Sequence, residues 1–243
     1  MNYRFIIQYD GTRYDGWQRQ KTTANTIQGK LEAVLSKMVG EPVEIKGAGR
    51  TDAGVHAKGQ VANAHLPEGR TSVEIRNYMN QYLPEDICVM EVSEVSERFH
   101  SRLNAGEKIY QYRISTNMVK NVFEHKYIYD LNCSLDVKKM KEAAEYLSGE
   151  HDFQSFCAKK MKKSTVRRLS EIRLEQMPGE LKITYRGNGF LYHMVRIMTG
   201  TLIEIGLHER IPQDMEKIIR AKERARAGAV APAKGLTLLE IRY

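Results

Sequence analysis

Arg50 and Asp52 stand two residues apart in Gly47-Ala48-Gly49-Arg50-Thr51-Asp52-Ala53-Gly54-Val55-His56-Ala57-Lys58-Gly59. A cation and a carboxylate so spaced can grip a polar ligand and act on it, and glycines at 47, 49, 54 and 59 let the backbone turn tightly and a ligand come close. Two nucleotide-binding patterns are excluded. A phosphate loop needs Lys and then Ser or Thr after its last glycine, where this chain has Val55-His56; a dinucleotide fingerprint needs a glycine where Asp52 stands. The other reading is a turn whose Arg50 and Asp52 are surface ions. The local pattern leaves both open.

Arg196 interrupts an apolar stretch, Phe190-Leu191-Tyr192-His193-Met194-Val195-Arg196-Ile197-Met198. An arginine pointing inward keeps its charge and must hold a carboxylate or phosphate. Asp52 is the carboxylate to pair with it, and the pair would lower the aspartate's pKa and keep it ionised. The alternative is that Arg196 reaches solvent or Glu204. Tyr110 and Tyr112 share one strand face by their period of two, as base-stacking aromatics or, more commonly, as core. His100 in Phe99-His100-Ser101-Arg102 has the chemistry of a general base, but a lone histidine is usually structural. Lys159-Lys160-Met161-Lys162-Lys163 with Arg167-Arg168 is the densest basic run, read as phosphate contact over a solvated loop. Trp17, among Arg13, Gln18, Arg19, Gln20 and Lys21, suits either base stacking or anchoring its loop; the pattern favours the anchor.

The elements that must position these groups follow from periodicity. Residues 3–9 alternate as a strand ending at Asp10-Gly11. Asn25-x-x-Gln28 reads as a capping box for a helix running to Gly40. Strands are expected at 42–46 and 60–66, with the glycine-rich motif a long loop between them. Thr71-x-x-Glu74 opens a second helix, and residues 87–95 form a strand. The order β-α-β-β-α-β then recurs: strand 108–115, helix 136–147, strands 169–176 and 181–186 joined at Pro178-Gly179, helix 190–205, a short extra helix 212–225 and strand 236–242. The expected fold class is α+β, with two ferredoxin-like (βαββαβ) halves, 1–104 and 105–243, a mixed, mainly antiparallel sheet and a central cleft.

The chain has 243 residues, 42% of them hydrophobic, enough for one large domain or two small ones with real cores. Its net charge of +8 favours an anionic partner, nucleic acid before lipid. Cys88, Cys133 and Cys157 are far apart with no Cys-x-x-Cys pair, which indicates neither a disulfide framework nor a zinc site. No membrane span is expected, and no export is expected either. A cytoplasmic location is expected.

Several separated motifs resemble one family. They are Tyr9-Asp10-Gly11 with Gly16-Trp17-Gln18-Arg19-Gln20, the Gly49–Ala57 stretch, Arg98-Phe99-His100-Ser101-Arg102, Lys108-Ile109-Tyr110-Gln111-Tyr112, His151-Asp152-Phe153, the 190–196 stretch and Ala231-Pro232-Ala233-Lys234-Gly235-Leu236. In this order they resemble a tRNA pseudouridine synthase of the TruA family across nearly the whole chain. The resemblance implies the pseudouridine synthase fold, Asp52 as catalytic nucleophile, Arg196 as its partner, Arg50 as a catalytic residue holding the flipped nucleotide, and Tyr110 at the target base. It also implies a homodimer that needs no cofactor or metal and modifies uridines at positions 38 to 40 of the tRNA anticodon stem-loop. Leu103, where a phenylalanine is expected, and Thr237, where an aromatic is usual, leave room for a paralogue acting on another RNA. The competing class is a non-catalytic RNA-binding module, which gains nothing from a carboxylate facing phosphates.

Overall fold

The computed structural model describes residues 1–243 and divides them into two compact units, Met1–Gly106 with Thr237–Tyr243, and Glu107–Leu236. The seven C-terminal residues thus group with the first unit, whereas the sequence boundary assigned them to the second.

The first unit contains β1 (Asn2–Tyr9), α1 (Ile27–Val39), β2 (Lys46–Gly47), β3 (His56–His65), α2 (Ser72–Tyr82) and β4 (Ile87–Val95). Antiparallel pairing puts β1 between β4 and β3, and β2 on β3. That gives the ferredoxin-like order β4-β1-β3-β2. The C-terminal strand, Leu236–Arg242, adds to β3 in parallel, with Thr237 opposite His56. Alternation on β1 sends Tyr3, Phe5 and Ile7 into the core. Ile27, Leu31, Leu35 and Met38 do the same from α1 at helical spacing.

Local chemistry explains the boundaries. The capping box at Thr71 and Glu74 forms as its spacing predicts. At α1 the cap is Thr26, whose hydroxyl accepts from the Gly29 N–H at 3.2 Å, and not Asn25. Gln28 turns inward instead, donating to Glu32 at 2.8 Å and to the Ile45 carbonyl at 3.1 Å. The strand expected at 42–46 shrinks to Lys46–Gly47 because side chains satisfy the preceding backbone: Val43 N–H donates to Ser36 Oγ and Ile45 N–H to Glu32. With those donors satisfied, that stretch needs no partner strand. Conversely, β3 starts at His56 and takes in the last residues of the glycine-rich motif.

The second unit contains β5 (Glu107–Ser115), β6 (Tyr129–Asp130), α3 (Val137–Glu145), β7 (Gly149–Asp152), β8 (Val166–Met177), β9 (Glu180–Gly187), α4 (Met194–Gly206) and α5 (Asp214–Ala221). Its sheet runs β5-β9-β8-β7 in antiparallel pairs, with β6 parallel to β5. The β8–β9 hairpin turns through Gly179 at φ +74°. The short polar strand Gly149–Asp152 carried no apolar alternation and was not expected. The helix expected at 190–205 begins only at Met194, because His193 is left-handed at φ 60°. Its remaining length is almost wholly buried. The extra helix is also shorter than expected, closed by Lys222 at φ 54°. Across both units, no helix is long and apolar enough to cross a membrane.

Candidate active site

The loop between β2 and β3 is held at almost every residue. Ala48 N–H donates to the Val61 carbonyl at 2.8 Å, and the Gly49 carbonyl accepts from Gln60 Nε2 at 2.8 Å. The Thr51 carbonyl accepts from Trp17 N–H at 3.0 Å, and its hydroxyl meets the Tyr9 phenol at 2.8 Å. Asp52 starts a tight turn closed by Val55 N–H on its carbonyl at 3.1 Å, with Gly54 at φ +77° in the third position, as a type II turn requires. The carboxylate therefore projects from a backbone braced on both sides. Asp52 is half-buried, and Arg50 beside it is exposed.

The brace is the 10–20 loop. Gly54 N–H donates to the Tyr14 carbonyl at 3.3 Å, and Gly11 N–H to His56 Nδ1 at 3.1 Å. Asp86 anchors this loop, accepting from Arg13 Nε at 2.9 Å and Nη2 at 2.6 Å and from the Tyr14 hydroxyl. Burial and the neighbouring carboxylate push the Tyr14 phenol well above its ordinary pKa. Trp17 is 1% exposed and lies against Tyr9 and Gly47, so it anchors the loop and offers no face to a base.

In the second unit Tyr110 pairs across the sheet with Tyr185, and its ring meets Phe190 edge-on at 5.1 Å. It is 6% exposed. Tyr112 is fully buried and donates to the Pro232 carbonyl at 2.6 Å. Arg196 lies in the first turn of α4 and not in mid-helix, half-buried, its Nε donating to the Ala231 carbonyl at 2.7 Å. Burial raises the Tyr112 pKa strongly, with the Arg196 charge opposing that rise. The 231–235 segment thus ties Tyr112 and Arg196 to one strap. Glu204, the alternative partner for Arg196, instead accepts from Arg210 Nε and Ala229 N–H.

Among the other sequence candidates, His100 has a structural duty. His100 Nδ1 accepts from Arg102 N–H at 3.1 Å and Leu103 N–H at 3.4 Å, organising its own turn. Ser101 N–H bonds the buried Asn63 side chain, which fastens that motif to the first sheet. Lys159, Lys160, Lys162 and Lys163 are exposed, while Arg167 bonds the Ser164 and Val166 carbonyls. Leu103 is 78% exposed, and Thr237 is half-buried on the C-terminal strand. Sequence reasoning missed Tyr9 and Gln60 as supports of the Asp52 loop. Their signal was a glutamine and a tyrosine at positions that strand alternation turns inward.

A ferredoxin-like α+β chain that presents a braced aspartate on a glycine-rich loop fits an isomerase of the pseudouridine synthase class. The family model described as tRNA pseudouridine synthase matches residues 5–104 and 143–243. A tRNA pseudouridine synthase A of Bacillus sp. (strain KSM-64) is 49% identical over 243 residues, all of this chain and 99% of that protein. Clostridium tetani (strain Massachusetts / E88) has a tRNA pseudouridine synthase A 1 that is 48% identical with the same coverage, and Bacillus anthracis a tRNA pseudouridine synthase A 2 at 46%. The chain belongs to the tRNA pseudouridine synthase family.

Proposed function

We propose that this chain isomerises uridine to pseudouridine in the tRNA anticodon stem-loop, with Asp52 as the reacting carboxylate. The observation that carries the reading is the Asp52 turn, whose backbone is pinned from both sides while the carboxylate stays half-buried. Such a group meets a reacting atom without reorganising.

The reaction balances internally. The N1–C1′ bond breaks, the base turns over, C5 bonds to C1′, a proton leaves C5 and one is taken up at N1. An ionised aspartate serves as nucleophile towards sugar or base, or accepts a proton from the sugar. The target base must leave its stack first. Arg50, exposed beside Asp52, suits contact with the flipped nucleotide, and Tyr110 is the aromatic residue at its base. Family resemblance supports Arg196 as the cation that partners the aspartate. Family resemblance further supports a cytoplasmic homodimer.

The test is tritium release from C5-labelled uridine in tRNA transcripts, with products mapped by nucleotide. Wild type releases tritium from the anticodon stem-loop and Asp52→Asn does not. Tight, salt-sensitive binding without release from any transcript would leave a non-catalytic RNA-binding module; release mapped elsewhere would assign a different target.

A further inference from the structure

Around the Asp52 turn lie three buried polar side chains. Gln60 is 0% exposed, Tyr9 4% and Thr51 6%. Gln60 sits on β3 beside Val61, Ala62 and Ala64, where an apolar residue would fill space without the cost of burying an amide. Its hydrogen bonds point instead at the loop. Nε2 donates to the Gly49 carbonyl at 2.8 Å and is directed at the Tyr9 oxygen at 3.5 Å, while Oε1 accepts from Val61 N–H at 3.2 Å. The Tyr9 phenol also shares a hydrogen bond with the Thr51 hydroxyl at 2.8 Å.

We propose that Tyr9, Thr51 and Gln60 are positioning residues for Asp52, a buried hydrogen-bonded base that fixes the backbone on both sides of Arg50 and so sets the direction in which the carboxylate leaves the chain. The inference rests on the reading of Asp52 as the reacting group. Gln60 holds Gly49, and Tyr9 holds Thr51, the residue directly before Asp52. Trp17 N–H on the Thr51 carbonyl completes the grip from the other loop. Burial pushes the Tyr9 pKa up to about 12, with the bonds to Thr51 and Gln60 opposing the rise, so the phenol keeps its proton at any working pH. All three residues are buried, which leaves little of them for contact with RNA. Their effect therefore falls on turnover and not on affinity.

Tyr9→Phe and Thr51→Val each delete one hydroxyl at nearly constant shape, and Thr51→Ser keeps it. Single-turnover tritium release, transcript binding and a thermal melt are measured for each, well below every melting temperature. Tyr9→Phe and Thr51→Val are expected to slow release about ten- to a hundred-fold, the cost of a slightly misaimed group, with binding within about twofold of wild type. Thr51→Ser recovers most of the rate, and the double variant is no slower than the slower single one, because both break one bond. Wild-type rates for folded Tyr9→Phe and Thr51→Val, or losses confined to binding, would overturn the proposal. Thr51→Val decides alone should Tyr9→Phe not fold. Asp52→Asn in the same assay separates the two ideas: its retention of the wild-type rate sinks the role of Asp52, whereas its inactivity beside fully active network variants sinks only the network.

Discussion

Arg196 and Ala231 hold each other twice: Arg196 Nε donates to the Ala231 carbonyl at 2.7 Å, and Ala231 N–H donates to the Arg196 carbonyl at 3.1 Å. A cation in the first turn of a helix stands at the wrong end of the helix dipole, so local energetics disfavour it there. Its placement is made by the 231–235 strap, which the Tyr112 hydroxyl also binds at Pro232. Arg196→Lys keeps a charge but loses the planar fork and the Nε bond. Turnover on tRNA transcripts is expected to fall by about 10²-fold or more, the scale of losing one aimed electrostatic donor. Unchanged kcat in Arg196→Lys would remove the arginine from the chemistry.

Gly47 and Gly40 make a matched pair for testing the loop's packing. A Cβ on Gly47 would lie 2.5 Å from the buried Trp17 ring, whereas around Gly40, at φ +82°, nothing lies within 4 Å. Gly47→Ala is expected to cost roughly 1–3 kcal/mol by overpacking and to lower activity as well, since Trp17 N–H holds Thr51. Gly40→Ala carries backbone strain alone, on the order of 1 kcal/mol, with activity intact. Denaturant melts and rates on the two variants check this; a harmless Gly47→Ala would mean the Trp17 wall yields.

Asp152 supplies a pH signature. Burial opposes its ionisation, but bonds from the Thr165 hydroxyl at 2.5 Å, Lys222 Nζ at 2.9 Å and Gln154 N–H at 3.2 Å outweigh it, and its pKa is lowered. A carboxylate with a depressed folded pKa contributes stability above its unfolded value, about 3.9, and loses it as pH falls through the folded value. Thermal melts of wild type and Asp152→Asn should therefore differ at pH 6 and converge towards pH 3. A constant difference across that range would contradict the assignment.

The exposed lysines at 159, 160, 162 and 163 follow Phe156 and lead into Thr165, which Asp152 holds. Lys160→Ala with Lys163→Ala is expected to weaken binding to all tRNA transcripts alike and to flatten the salt dependence by about 0.7–0.9 for each phosphate no longer neutralised. Filter binding across a salt series reads this directly. An unchanged slope would make the run a solvated loop.

The elements that local spacing describes are the ones that local chemistry builds. Thr71 and Glu74 cap α2 as their interval requires, the strand at 87–95 appears with those bounds, and Pro178-Gly179 makes its hairpin. Arg50 and Asp52 were legible for the same reason, because two residues of loop keep them neighbours in any fold. Tertiary structure decided the rest. Periodicity reports which face of a segment is buried but not which strand it meets, so the start of β3 at His56 beside Thr237, 181 positions along, was not visible in any window. Nor was the move of Arg196 from mid-helix to the first turn, which depends on one left-handed residue, His193. The Tyr9–Thr51–Gln60 bonds lie deepest beyond local reading. A buried amide finds its partners across 11 and 51 positions, and only the packed sheet brings them within reach.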